Sequence, residues 1–291
     1  MSNKGVLFVV LAALFWGLSG GIGGVLLENG WSALVVAFYR GAIGLLIVFC
    51  WLVLQPSGHG FQYLQLWFWS LVAGLGVAGN FVFYFVSIAE GSVSIAVTLM
   101  YCAPVFVYLV SFALGLEKAT PVKWLAIVLV MVGIILLTQV YQVDAGGVTQ
   151  VGVAAGLASG MSLALFIFGF KYATHYGSAQ SILVIAFTAL VVTCGVLINP
   201  GELTDVIGSP DLALFLLLGL LGGGISFILY IMGLRQTAPA VASIVAMVEP
   251  VTASLFGVLL LSETLAGIQL VGMGLILFTV TALSVSSKDY R

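Results

Sequence analysis

The stretch Pro239–Glu263, PAVASIVAMVEPVTASLFGVLLLSE, decides how this chain is read. It is apolar and about as long as a bilayer is thick, yet an acid and a proline, Glu249 and Pro250, stand side by side within it. At about 1.5 Å per residue Glu249 lies about 16 Å along a helix, near the middle of a ~30 Å hydrocarbon core. An ionisable side chain there is costly and marks a candidate functional site. Pro250 cannot donate a backbone hydrogen bond, so a helix kink is expected beside the acid. An earlier stretch, residues 92–117, SVSIAVTLMYCAPVFVYLVSFALGLE, repeats the design with a central Pro104.

The rest of the composition agrees with a membrane setting. Of 291 residues, 62% are hydrophobic and 6% charged, whereas a soluble domain carries about 25% charge. Long apolar runs without alternation indicate helices rather than an outer-membrane barrel. Ten spans are expected, at 4–27, 33–54, 63–89, 93–116, 121–140, 149–170, 178–198, 211–235, 239–261 and 267–286. The first is read as a retained span, because its apolar run is too long for a signal peptide and lacks a cleavage site. Pro56, Pro200 and Pro210 fall in breaks, Pro121 and Pro239 open helices, and only Pro104 and Pro250 are mid-span.

Charge at the breaks sets an orientation. With the N-terminus inside, Lys4, Lys118, Lys123, Lys171, Arg235, Lys288 and Arg291 collect on one side. Glu28, Glu90, Asp144, Glu202, Asp205, Asp211 and Glu263 collect on the other. The positive-inside rule then places both termini in the cytoplasm. Trp31, Trp51, Trp67, Trp69 and Trp124 lie near span ends, as an interfacial belt requires; Trp16, mid-span, does not.

An offset of 146 residues aligns the chain with itself. Gly76 meets Gly222, Phe81 meets Phe227, Tyr84 meets Tyr230, Ala96 meets Ala242, Pro104 meets Pro250, Glu117 meets Glu263 and Leu129 meets Leu275. The first two spans of each half match only loosely. Five spans per copy is an odd number, so the copies, 1–142 and 149–291, cross the membrane in opposite senses. Inverted repeats with interrupted helices about a midplane site are an architecture of secondary transporters.

A fourth helix with a central proline, ending in Gly-x-Glu or Ser-Glu, stands in both halves. Together with Trp16-Gly17 and Phe38-Tyr39-Arg40, Ala103-Pro104-Val105-Phe106 to Glu117 and Glu249-Pro250-Val251 to Glu263 resemble the EamA family of the drug/metabolite transporter superfamily. The resemblance spans essentially the whole chain and is nearest to the bacterial aromatic amino-acid and methyl viologen exporters. It implies an all-α polytopic inner-membrane protein with ten helices in two inverted five-helix repeats. It also implies export of amino acids, amphipathic drugs or other small metabolites by alternating access.

Several groups are candidates for the substrate site. Arg40 and Glu249 could neutralise each other or hold the carboxylate and ammonium of an amino acid. The alternatives are a purely structural pair and an Arg40 that snorkels outward. If Arg40 keeps Glu249 ionised, no midplane proton carrier remains and transport is facilitated or weakly coupled. Asn80 and Tyr84, one and two turns after Gly76, share a face, as do Ser226 and Tyr230 after Gly222. A polar stripe in hydrocarbon must face protein or water, so these line a cavity or bind helices together. Ser94, Thr98, Tyr101, Ser243 and Met247 from the fourth helices, with Trp16, Tyr39, Phe81 and Phe227, complete an aromatic, weakly polar pocket suited to a flat or amphipathic ligand. The glycine ridges 152/156/160 and 20/24 read as close-packing surfaces, and Gly222-Gly223-Gly224 as a hinge or a packing site.

Other classes fit poorly. No phosphate loop, metal cluster or nucleophile–base pair is visible, so neither cofactor nor catalysis is expected. Cys50, Cys102 and Cys194 sit in apolar runs and suggest no disulfide. His59 and His175 read as solvated loop residues. A net charge of −2 gives no sign of a nucleic-acid partner; the expected partners are a small-molecule substrate and the bilayer, with a monomer plausible. A channel would line its pore with rings of polar groups, which one deep acid does not supply.

Overall fold

The computed structural model describes residues 3–55, 58–116, 118, 120–143, 149–262 and 264–286. Pro56, Glu117, Asp144, Glu263, Lys288 and Arg291 therefore lie outside the described residues. The described chain is helical and contains no strand. Nine of its helices are long and apolar enough to cross a membrane, and the apolar Gly267–Ser286 supplies a tenth.

The spans are α1 (Asn3–Glu28), α2 (Ala33–Leu54), α3 (Leu64–Ala89), the pair α4 (Val93–Met100) and α5 (Ala103–Ala113), and α6 (Pro121–Thr138). The second half follows with α7 (Gln150–Ala173), α8 (Ala179–Leu197) and the short connecting helix α9 (Pro200–Asp205). The eighth span joins α10 (Leu212–Leu218) through a π-helical segment (Gly219–Ile225) to α11 (Ser226–Leu234). The ninth joins α12 (Pro239–Val245) to α13 (Val248–Leu260), and α14 (Gly267–Ser286) closes the chain. Side chains start many of these helices. Ser32, Ser92, Thr120, Thr149 and Ser178 each accept a hydrogen bond from the backbone N–H three residues on, satisfying a donor the first turn leaves free.

Charge and contact show the inversion directly. At one end Gly5 packs on Gln236 and Thr237, Lys171 donates to the Leu234 and Thr237 carbonyls, and Arg235 donates to Gly177 O. At the other end Asn29 and Trp31 donate to Asp211, Ser32 to Glu202 and Thr149 to Glu90. So α1 starts at the basic end, whereas its counterpart α7 starts at the acidic end and finishes at Lys171. The packing repeats under exchange of halves: α3 and α4–α5 lie on α7 as the eighth and ninth spans lie on α1. The pairs α2·α8 and α6·α14 map onto themselves.

Close approach between spans uses small residues. A Cβ on Gly133 would sit 3.0 Å from Gly272 O, and one on Gly272 would sit 2.6 Å from Gly133 O, which fixes the α6–α14 crossing. The ridge Gly152, Gly156 and Gly160 packs on Glu90, Leu99 and Met100, as the sequence suggests. The ridge Gly20 and Gly24 does not: a Cβ there meets no atom within 4 Å.

Candidate functional site

Both fourth helices of the repeats break at equivalent points. α4 ends at Met100 and α5 begins at Ala103; α12 ends at Val245 and α13 begins at Val248. Tyr101 and Met247, 146 residues apart, occupy the two gaps. The breaks therefore precede Pro104 and Pro250 instead of falling on them. A proline ring clashes with the carbonyl four residues earlier, and the chain tightens there into three-residue turns, Cys102 N–H to Leu99 O and Met247 N–H to Ile244 O. Gly17 of α1 packs on the second break: its Cβ would lie 2.5 Å from Glu249 O and from Thr252 Cβ. Gly160 of α7 packs on the first in the same way.

Between these breaks lies an enclosed void. It is lined by Trp16, Tyr230, Ser243, Met247 and Glu249, with Ala103, Leu163, Phe166, Ile167 and Ala246. Only about 10 Å³ of it is open to the centre of a water molecule, room for about one water. Where the sequence leads to a ligand chamber, the structure holds a void of this small size. Two of the lining residues carry a buried polar atom, Trp16 Nε1 and Tyr230 OH, that has no hydrogen-bond partner among the described residues. Glu249 lines the same space, half-buried as a residue. Trp16, off the interfacial belt, is thereby accounted for.

Aromatic packing fills the bundle around this void. Trp16 meets Phe227 at 5.1 Å and Tyr230 at 4.8 Å between ring centres; Phe166, Phe170 and Phe187 pack on the same cluster. Toward the acidic end the inward positions of α1 are less filled. Leu7 and Leu14 mark the lipid face of α1, and Gly20 lies ~120–140° round the helix from them. It sits between the face packed on α13, at Gly17 and Gly21, and the face packed on the eighth span, at Ser19 and Gly23. Gly20 is nonetheless exposed, and Gly24 half-exposed. Arg40, Phe81 and Tyr84, also on inward faces, keep accessible surface. These positions with accessible surface lie toward the acidic end, and Gly20 stands one turn beyond Trp16.

The offset of 146 explains the asymmetry. Gly20 corresponds to Phe166, Gly24 to Phe170, Gly41 to Phe187 and Ser162 to Trp16. Where one half supplies rings that fill the interior, the other supplies glycine or serine.

Arg40 and Glu249 do not form a direct pair. No contact within 4.0 Å joins Arg40 to a carboxylate among the described residues. Instead Arg40 Nε donates to Gly222 O at 3.1 Å, and the guanidinium lies 5.5 Å from the Phe81 ring centre. The π-helix makes this possible. Ser226 N–H reaches back to Leu221 O, which releases the Gly222 carbonyl from its α-helical donor to accept from Arg40 Nε and Ser226 Oγ. A Cβ on Gly222 would lie 2.8 Å from Arg40 Nε, so glycine is required for that approach. Arg40, Tyr84 and Tyr101 all remain within electrostatic range of Glu249.

Other sequence candidates are engaged elsewhere. Asn80 Nδ2 donates to Ser159 O and Oγ, and Ser159 Oγ donates back to Asn80 O, joining α3 to α7. Its stripe binds helices and does not line the void. Thr98 bonds Thr138 and Ser94 O. Tyr39 OH donates to Leu203 O at 2.6 Å near the acidic end. Ser226 and Ser243 bond backbone carbonyls of their own helices, though Ser243 still lines the void. Phe227 supports Trp16 from behind. Sequence reasoning missed Phe166, Ile167, Leu163, Ala103 and Ala246. Two signals were present: Ala103 stands 146 residues before Glu249, and Phe166 stands one turn before Phe170.

Comparison with known proteins places this geometry. The EamA-like transporter family model matches residues 3–139 and again 150–285. The uncharacterized transporter YwfM of Bacillus subtilis is 25% identical over 98% of this chain and 95% of its own. Protein PecM of Dickeya dadantii is 27% identical over 71% of this chain and 70% of its own. A solved crystal structure superposes over the whole of both chains with a TM-score of 0.78 at 16% identity, a likeness of fold alone.

Proposed function

The chain belongs to the EamA-like transporter family, and we propose that it exports small amphipathic solutes, aromatic and other apolar amino acids foremost, from the cytoplasm across the cell's inner membrane. Alternating access runs about the void between the two breaks. In this reading the basic end faces the cytoplasm and both termini lie there. Trp16, Tyr230, Ser243, Met247 and Glu249 contact the solute, and Arg40, Phe81, Tyr84 and Tyr101 border its path to the acidic end. The observation that carries the reading is that two residues lining a void with Glu249 each hold a buried polar atom without a partner, Trp16 Nε1 and Tyr230 OH. Buried polar groups are rarely left unsatisfied, and a solute with an acceptor, an ammonium and a flat apolar body would engage all three. Arg40 is occupied by Gly222 O and the Phe81 face, so Glu249 is the charge that meets the solute's amine.

Counterflow of labelled phenylalanine into phenylalanine-loaded proteoliposomes tests this. Saturable exchange is expected, and it should fall at least tenfold in Glu249→Gln, since a charge-assisted hydrogen bond is worth about 1.5–3 kcal/mol. Unsaturable ion current would favour a channel. Saturable exchange of other amines but not of amino acids would move the reading to a cationic metabolite or drug.

A further inference from the structure

A second pocket lies at the basic end, away from the void. It has a volume of about 510 Å³ and is walled by three connections: Gly58, Gly60 and Tyr63 after α2; Thr174 to Gly177 between α7 and α8; and Arg235 after α11. That volume is within the usual ~300–1,000 Å³ range of small-molecule sites. The wall is held in place. Gly60, at φ 75°, brings its backbone against Tyr176 O, His59 Nδ1 lies 3.1 Å from Ser178 Oγ, and Arg235 bonds Gly177 O at 2.6 Å.

The chemistry of this pocket is one-sided. Arg235 is exposed and charged, and His175 is exposed beside it. Gln62 and Tyr63 add donors. Among the described residues no carboxylate lies at this end of the bundle; Lys4, Lys118, Lys123 and Lys171 share it. An arginine fork in a concave, donor-lined site without acids suits phosphate, and a basic pocket between helix ends at the cytoplasmic surface suits a lipid headgroup.

We infer that this pocket binds a phosphate-bearing anion through Arg235, presented as the headgroup of an anionic phospholipid or as a free solute. Because its walls come from both halves of the chain, the bound anion ties them together at the basic end. It thereby favours the conformation open at the acidic end. The pocket does not depend on the identity of the transported solute.

Native mass spectrometry of the full-length protein from micelles doped with phosphatidylglycerol or phosphatidylcholine tests the lipid source. Thermal unfolding with and without sodium phosphate tests the free source. Retention of phosphatidylglycerol over phosphatidylcholine, lost about tenfold in Arg235→Gln and kept in Lys123→Gln, establishes the headgroup. A phosphate-dependent rise in unfolding temperature, lost only in Arg235→Gln, establishes the free anion. Lys123→Gln removes the same charge from the same face outside the pocket. Equal losses in both variants, or no loss in either, would overturn the inference. Should Arg235→Gln elute aggregated, Arg235→Lys carries the same test, because it keeps the charge and loses the fork.

Discussion

Tyr230→Phe should do two opposite things. The ring is fully buried, its hydroxyl has no partner among the described residues, and removing one oxygen leaves the ring's packing on Trp16 and Phe166 intact. A buried polar group without a partner costs about 1–3 kcal/mol, so the variant without substrate should be more stable by up to that amount. A water held in the void reduces this gain toward zero without reversing it. Substrate affinity should fall, because a hydrogen bond gained on binding is worth about 0.5–1.5 kcal/mol, or roughly 2–13-fold. Tyr108→Phe is the matched control. That ring is equally buried, but its hydroxyl accepts from Thr120 N–H at 2.9 Å, so its loss strands a backbone donor and should destabilise by about 1–3 kcal/mol. Thermal unfolding with and without saturating phenylalanine, alongside counterflow KM, reads both effects. If Tyr230→Phe loses stability as Tyr108→Phe does, the hydroxyl is structural and the reasoning about the void fails.

Two glycines of α1 should respond differently to alanine. A Cβ at Gly17 meets Glu249 O, Thr252 Cβ and Ala253 N at 2.5–3.0 Å; the backbone of α13 must move, at a cost of about 1–3 kcal/mol, with a fall in transport. A Cβ at Gly20 meets nothing within 4 Å, so Gly20→Ala should hold or gain up to about 1 kcal/mol from helix propensity; thermal unfolding of the two variants side by side checks both. Glu249 is the only carboxyl group deep in the spans among the described residues. Any dependence of flux on a pH gradient should therefore vanish in Glu249→Gln, measured in proteoliposomes with and without an imposed gradient, while persistence of that dependence would place the proton elsewhere.

The fold was legible because its determinants are local. Span length, proline position and the sorting of Lys171 and Arg235 from Glu90 and Asp211 are properties of short segments, and the 146-residue offset is a property of the string. The helix breaks were half-legible: Pro104 and Pro250 announce them, but the clash acts four residues back, so Tyr101 and Met247 occupy the gaps. The partners of polar side chains were not legible. Asn80 has the spacing of a cavity-lining residue, yet which helix face meets Ser159 is decided by how α3 packs on α7. Arg40 and Glu249 have opposite charges at similar depth, which suggests a pair. Only the π-helical turn, which frees Gly222 O, shows that a backbone carbonyl holds the arginine instead. The run Gly222-Gly223-Gly224 hinted at irregular backbone without saying which kind.

The repeat carries one more consequence. An inverted-repeat transporter reaches its opposite state by exchanging the conformations of its halves. Exchange here would carry Phe81 and Tyr84 to the places of Phe227 and Tyr230, a fair replacement. It would also carry Ser162, Gly20, Gly24 and Gly41 to the places of Trp16, Phe166, Phe170 and Phe187, which is not. The plug that could form at the acidic end lacks four rings, and buried aromatic pairs are worth about 0.5–1.5 kcal/mol each beyond their area. On this count we expect the state open at the acidic end to be the resting one. Gly20→Phe with Gly24→Phe supplies two of the missing rings at positions where no atom lies within 4 Å. The double variant should fold, because it fills open space, and it should stabilise closure at the acidic end. Impermeant thiol labelling of Tyr84→Cys, in a background with Cys50, Cys102 and Cys194 replaced by serine, should then fall several-fold from the acidic side. Unchanged labelling, with the double variant folded, would mean that α1 does not border the path from Tyr84 to the acidic end and that the glycine–phenylalanine exchange has no part in gating.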